Sequence, residues 1–360
     1  MIRLLLSNNQ NMFTRSKQNP ILKPNPKNTW EAEKLYNSGA IFFDGKYHLF
    51  YRAVGKGTDW KSAIGYAVSR DGENFQRFDT PLLFGETESE KRGLEDPRIT
   101  KIGDTFYMAY AAYDGVTPRL CVATSLDLKV WEKQCPVFFD WNFKKAGGVY
   151  LEWDEEGELH EKEKFSEWSK SGGIFPEKVN GKYLMLFGEY RIWFAESDDG
   201  IHWIGDQSPF LEPREGDYFD NAFVEMGPPP IRTEKGWLVL YHGINQQHCY
   251  KIGFLLLDLV DPKKILYRSD KPIFEPEKDY EMSGIVDVLP GGLSALQKMS
   301  DKELKNFLAE AEKKGIMPRV TFCCGAVVIG DTLRIYYGAS DSVICTASAS
   351  LSDILKSADI

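Results

Sequence analysis

Five times along its 360 residues the chain writes an apolar strand, a tight polar turn that usually contains glycine, and an apolar-aromatic strand ending in a small residue or a charge. A chain that repeats one small unit has few folds open to it, because each unit must bury its apolar face against its neighbours. The copies are GAIFFDGKYHLFYRA from Gly39, DPRITKIGDTFYMAYAA from Asp96, GGIFPEKVNGKYLMLFGE from Gly172, GPPPIRTEKGWLVLYHG from Gly227 and CGAVVIGDTLRIYYGAS from Cys324. Asp-Gly, Asn-Gly and Gly-Asp turns between β-branched and aromatic runs favour hairpins. A third strand follows each hairpin: SAIGYAVSRDGENF, RLCVATSLDLKVW, RIWFAESDDGIHW, YKIGFLLLDLVDP and SVICTASASLSDI. Three of these carry a Ser, then an Asp, then a bulky aromatic (Phe75, Trp131, Trp203) that is expected to open a fourth strand.

Four-stranded units without intervening helices pack radially. The expectation is an all-β, five-bladed β-propeller, with residues 1–360 forming a single catalytic domain. Two long gaps carry insertions. The charged stretch from Trp153 to Lys170 reads as a solvated loop. In the second, after Pro290, Ser300 and Glu303 have capping-box spacing and Leu304, Phe307, Leu308 and Ala311 form a helical stripe, which Gly315 and Pro318 end. A short helical insertion is therefore predicted near residues 300–314, packed on one face or supporting a homo-oligomer contact.

Composition narrows the function classes. A hydrophobic share of 42% supports a large core, and no apolar run approaches the roughly 20 residues of a membrane helix. The start has too short an apolar stretch for a secretory signal, so a cytoplasmic protein without a membrane partner is expected. A net charge of −9 argues against nucleic acid, whose binding needs clustered Lys and Arg. The six cysteines show no CxxC spacing and read as reduced core residues, and the five histidines lack a ligand spacing, so no metal cofactor is expected.

Polar residues at the ends of inner strands converge on one shallow funnel in such a fold, and carboxylates there are the first candidates for chemistry. In GLEDPRI, Glu95 and Asp96 precede a strand, with Pro97 fixing the backbone and Arg98 as a possible partner. An acid so placed suits glycosidic proton donation. The equivalent strand ends in other repeats, YNSGA from Tyr36, YR at Tyr51 and Arg52, YHG from Tyr241 and YYGASD from Tyr336, mix polar groups with aromatics, as a sugar pocket requires.

Taken in order, NPIL from Asn19, YNSGAIFFDGKYHLFYR, EDPRITKIGDTFYM, GGIFPEKVNGKYLML, GPPPIRTEKGWLVLYHG, LLLDLVDPKKILYRS and IYYGASD span nearly the whole chain. The series resembles glycoside hydrolase family 130, the β-mannoside phosphorylases and mannosidases. The resemblance implies a five-bladed propeller acting by inversion on terminal β-linked mannose, with Asp96 as general acid. It also implies that Asn37, Ser38, Arg52 and Asp341 contact the mannose beside the cleaved bond.

On the nucleophile's side the sequence departs from the phosphorylases. Gly188 and Phe223 fall where many of them carry an Arg and a Lys for phosphate, and Glu189 and Glu225 stand nearby. Phosphate needs cations and is repelled by carboxylates, whereas water needs a carboxylate base, set roughly 6.5–9.5 Å from the acid in inverting hydrolases. The expectation is therefore an inverting, exo-acting β-mannosidase on β-1,2-linked or other β-linked manno-oligosaccharides, with Glu225, helped by Glu189, activating water. The alternative is a β-mannoside phosphorylase producing mannose 1-phosphate, with inorganic phosphate as co-substrate. In it Arg119, Lys170, Arg191 and His242 form a cationic pocket, with Arg119 and Lys170 in segments that contact phosphate in phosphorylases; Tyr241 is a further substrate-binding candidate. A second alternative is a non-catalytic glycan-binding propeller using Trp60, Trp193 and Trp203.

Overall fold

Alternating buried positions and tight turns produce almost nothing but antiparallel strands in the described chain. The computed structural model describes residues 11–57, 61–134, 136–138, 149–153, 159–163, 169–246, 249–286, 299–300, 302–303, 306–307, 310 and 319–358. Four units are consecutive. The first runs Lys34–Phe43, Lys46–Val54, Ser62–Ser69 and Gln76–Arg77. The second runs Gly93–Ile102, Thr105–Tyr113, Pro118–Ser125 and Glu132–Gln134. The third is Gly173–Ile174, Tyr183–Phe187, Trp193–Ser197 and Ile204–Gly205. In the fourth the leading strand is split into Phe223–Met226 and Ile231–Thr233, because Pro228, Pro229 and Pro230 supply no ladder N–H. Gly236–Ile244, Cys249–Leu257 and Ile265–Arg268 complete it.

The fifth unit is assembled from both ends of the chain. Arg319–Ile329, Thr332–Ala339 and Val343–Ser350 pair in order, and the outermost strand, Thr14–Arg15, comes from the amino-terminal segment. This pairing covers an edge that would otherwise be open. The leading strand of the first unit packs against those of the second and fifth, that of the second against the third, and the third and fourth units meet through Tyr183–Phe187 and Phe223–Met226. Cys249–Leu257 meets Arg319–Ile329 in a parallel pair.

These contacts are backbone-close. A Cβ on Gly39 would lie 2.4 Å from the Pro97 carbonyl oxygen, and one on Gly325 would lie 2.7 Å from that of Ser38. Gly39→Ala is accordingly expected to cost about 1–3 kcal/mol through overpacking against backbone that has no room to yield. A urea titration checks this; an unchanged midpoint would mean the two strands are not held at that separation.

The Ser-Asp-aromatic signal resolves into a local cap. Ser69 Oγ accepts the N–H groups of Asp71 and Gly72, and Asp71 Oδ1 accepts those of Glu73 and Asn74. The same bonds recur at Ser125/Asp127 and Ser197/Asp199. Phe75, Trp131 and Trp203 each sit one residue before the fourth strand of their unit, as expected.

Several expectations change. The charged stretch from Trp153 holds the second strand, Leu159–Glu163, of a hairpin with Val149–Trp153 instead of reading as loop throughout. Ser300 and Glu303 form the expected capping box, with Ser300 N–H and Oγ–H donating to Glu303 Oε2, and residues 302–303, 306–307 and 310 are helical. Leu304, Leu308, Ala311, Gly315 and Pro318 lie outside the described residues. Two further helices, Asp279–Val286 and Leu351–Lys356, were not anticipated. Cys249, Cys323, Cys324 and Cys345 are buried free thiols, whereas Cys121 is disulfide-bonded, not reduced. No described helix is long and apolar enough to cross a membrane.

Candidate active site

The site grows from one recurring position. In three units it lies two residues before the leading strand takes up or resumes its regular pairing: Asn37 before Gly39, Asp96 before Arg98 and Ser171 before Gly173; Glu225 and Cys323, two residues before Gly227 and Gly325, are themselves paired, with His242 and Tyr337. Asn37, Asp96 and Ser171 have φ of 48°, 54° and 57°, in the left-handed region that non-glycine residues seldom occupy. Asn37 and Asp96 sit in β-bulges, where Asn37 and Ser38 face the single residue Tyr51, and Asp96 and Pro97 face Tyr110. A bulge re-aims a side chain that regular pleating would have sent into a sheet interface. Here it turns both groups toward each other: Asn37 Nδ2 donates to Asp96 Oδ1 at 2.9 Å.

Arg52 completes this side. It bonds Glu95 Oε1 at 2.5 Å, lies 3.5 Å from Asp96 Oδ1 and stands 4.8 Å over the Tyr36 ring. Burial alone would raise the Asp96 pKa, but Arg52, Lys170, Arg98 and the Asn37 amide together hold it below the usual value. Glu95 is pushed the other way, by burial that Arg52 only partly offsets. Asp341, at φ 46° beside Ser340, is raised by burial against the pull of Arg52 and Lys34. Four buried polar atoms here find no protein partner: Asn37 Oδ1, Ser38 Oγ, Arg52 Nε and Ser340 Oγ. Buried polar groups are nearly always bonded, so such a cluster marks unused capacity of the kind sugar hydroxyls satisfy.

The opposite side is built around Lys170. Its Nζ lies 3.5 Å from Glu189 Oε1 and 3.8 Å from Glu225 Oε1, and Ser171 Oγ donates to the same Glu225 oxygen at 2.6 Å. Burial opposes the Lys170 charge, but Glu189, Glu225, Asp96 and Glu95 keep it protonated. Burial pushes Glu225 up to about 8, with Lys170 opposing and Glu189 reinforcing the shift. Segment 188–190 is fixed by backbone bonds from Gly188 to Lys170, from Met226 to Gly188 and from Val224 to Tyr190.

His242 is buried beneath this side. Its Nε2 accepts the Cys323 N–H at 2.8 Å, its ring stacks on Phe322 at 4.1 Å, and its pKa is lowered to about 3 by burial and Arg98. It is therefore neutral and adds no cation. Arg119 is held by Asp114 at 2.6 Å. Tyr241 does not belong to the site. Strand alternation sends it to the opposite face from His242, where its hydroxyl donates to the buried Asp220 at 2.7 Å. Trp193 and Trp203 are buried in the core, which removes them as binding surfaces, and Trp60 lies outside the described residues.

Sequence reasoning did not single out Ser171, Ser340 or Lys34. Ser171 was reachable, since Lys170-Ser171-Gly172-Gly173 aligns with Tyr36-Asn37-Ser38-Gly39 in the repeat.

An all-β series of repeated units with paired acids, an arginine and unsatisfied hydroxyl-bonding groups at strand ends fits a glycoside-processing enzyme. The profile of the family described as beta-1,4-mannooligosaccharide phosphorylase matches residues 10–294 and 308–359, and the chain belongs to glycoside hydrolase family 130. It is 37% identical to the 1,2-beta-oligomannan phosphorylase of Thermoanaerobacter sp. (strain X514), over 94% of this chain and 98% of that one. The structure of the beta-1,2-mannobiose phosphorylase of Listeria innocua with beta-1,2-mannobiose superposes with a TM-score of 0.73 at 26% identity, covering 96% and 99% of the two chains. At a TM-score of 0.73 and 28% identity, covering 93% of each chain, there is also a structure described with hydrolases of this phosphorylase family that target beta-1,2 mannosidic linkages in Candida mannan.

These likenesses correct the expected hydrolase, because the 37% relative spanning both chains is a phosphorylase. The physical reason lies in Lys170. Glu189 and Glu225 do not form the bare anionic pair assumed from sequence: a part-buried ammonium lies within 4 Å of both, and burial raises the Glu225 pKa to about 8.

Proposed function

We propose that this enzyme is a β-1,2-mannoside phosphorylase, a single five-bladed propeller that converts β-1,2-linked manno-oligosaccharide and inorganic phosphate into α-mannose 1-phosphate and the shortened acceptor. The observation that carries the reading is the part-buried Lys170 between Glu189 and Glu225, taken with the phosphorylase relatives. Terminal mannose binds against Asn37, Ser38, Arg52 and Asp341. Its hydroxyls engage Asn37 and Arg52, withdrawing two interactions that hold the Asp96 carboxyl low and so favouring the proton it must deliver. Asp96 protonates the glycosidic oxygen as that bond to C1 breaks. A phosphate oxygen, held by Lys170 and the protonated Glu225, attacks C1 from the other face, inverting β to α, and the proton lost by phosphate restores Asp96. The sugar phosphate product is charged and does not cross a bilayer unaided, which accords with a cytoplasmic site of action.

Incubation with β-1,2-mannobiose and phosphate tests the reading, with mannose 1-phosphate the expected product; β-1,4-mannobiose is expected to react far more slowly, and the reverse preference would reassign the linkage.

The Glu225 proton gives a pH prediction. Below about 8 the group is neutral and donates to phosphate; above it the carboxylate, beside Glu189, repels the nucleophile. The KM for phosphate is therefore expected to rise as pH climbs through about 8, and Glu225→Gln, which mimics the protonated acid, is expected to flatten that limb. An identical alkaline limb in Glu225→Gln would assign it to phosphate's own titration.

A further inference from the structure

Arg98 is a buried cation with a role that no proton-transfer or sugar contact uses. Its guanidinium makes three hydrogen bonds, all to backbone carbonyls: Nη1 to Asp96 at 2.9 Å, Nη2 to Met226 at 2.8 Å and Nε to Gly227 at 2.8 Å. Among the described residues no carboxylate lies within ion-pair distance of it. The ring of Phe322, which stacks on His242, lies 5.8 Å beneath the guanidinium. Burying a charge against carbonyls alone is costly, and a planar fork with fixed donor directions is what such an arrangement requires.

The three carbonyls belong to two segments about 130 residues apart in the chain. One is the Asp96 bulge, whose φ of 54° depends on its surroundings to persist. The other is the strand end that carries Glu225, with Met226 also fixed to Gly188 beside Glu189. One side chain thus ties the acid's own backbone to the backbone of the nucleophile side.

Resting on the phosphorylase reading, we propose that Arg98 is a positioning residue that sets the placement of the Asp96 carboxyl relative to the nucleophile pocket. It touches neither substrate nor reacting atoms; beside the charge that helps hold the Asp96 pKa down, it acts through the two main-chain segments it joins. Lysine retains the charge but offers one nitrogen, so it cannot hold three carbonyls in fixed directions.

The experiment compares Arg98→Lys with wild type on two substrates at saturating phosphate: β-1,2-mannobiose, whose leaving oxygen needs the proton from Asp96, and 2,4-dinitrophenyl β-mannoside, whose leaving group does not. The expected result is a loss of roughly 100-fold in kcat on mannobiose with its KM within about threefold, and a loss under about tenfold on the aryl mannoside. Equal losses on both substrates, or no loss on mannobiose, would overturn the proposal. Phe322→Leu, which keeps the three bonds but removes the ring under the guanidinium, serves where Arg98→Lys does not fold: a smaller loss confined to mannobiose supports the role, and equal or absent losses overturn it. The parent reading fails separately, since a wild type that releases no mannose 1-phosphate refutes phosphorolysis while the ratio between leaving groups still reports on Arg98.

Discussion

Asp96→Asn is expected to lower kcat for β-1,2-mannobiose by roughly 10²–10⁴-fold, the range a positioned general acid supplies. The substitution is nearly isosteric. The amide oxygen still accepts from Asn37 Nδ2, and Arg52 still has Glu95 at 2.5 Å, so the bulge keeps its partners and the chain is expected to remain folded. What disappears is the proton the leaving oxygen needs. Mannose binding should survive, because Asn37, Ser38, Arg52 and Asp341 are untouched. Steady-state kinetics with thermal unfolding on the same preparation check this, and a variant within threefold of the wild-type rate would remove Asp96 from the role of acid.

Lys170→Met is expected to damage the other half of the reaction. Truncating one partner of a buried charge pair costs about 2–5 kcal/mol, which corresponds to a rise of about 30-fold or more in the KM for phosphate. Glu189 then faces the nucleophile without its ammonium, and Glu225 loses the charge that limits its upward shift. The KM for mannobiose should change much less, because the sugar-binding groups lie on the Asn37–Arg52 side. A phosphate titration at saturating mannobiose separates the two; an unchanged KM for phosphate would show that the nucleophile is held elsewhere.

Much of the architecture was legible because its signals are local. Hairpin turns, strand alternation and the Ser-Asp-aromatic caps involve residues within a few positions of one another, and the resemblance carried Asp96, Asn37 and Arg52 to positions that converge in space. Errors arose where the outcome depends on distant neighbours. Tyr241 and His242 are adjacent in sequence, and only the strand's facing sends one to Asp220 and the other to Cys323. Glu189 and Glu225 read as a water-activating pair until Lys170, from a segment 19 residues before the first of them, is placed beside both. Ionisation is equally non-local: His242 looked like a cation from its residue type, yet burial and Arg98 keep it neutral. The amino-terminal strand Thr14–Arg15 gave no sign that it would join the last unit, since its two residues carry no pattern of their own.

The most direct test follows β-1,2-mannobiose with and without inorganic phosphate, resolving mannose from mannose 1-phosphate. Cleavage is expected to require phosphate and to yield α-mannose 1-phosphate and mannose in equal amounts. Mannose released at the same rate without phosphate, and no sugar phosphate with it, would contradict phosphorolysis.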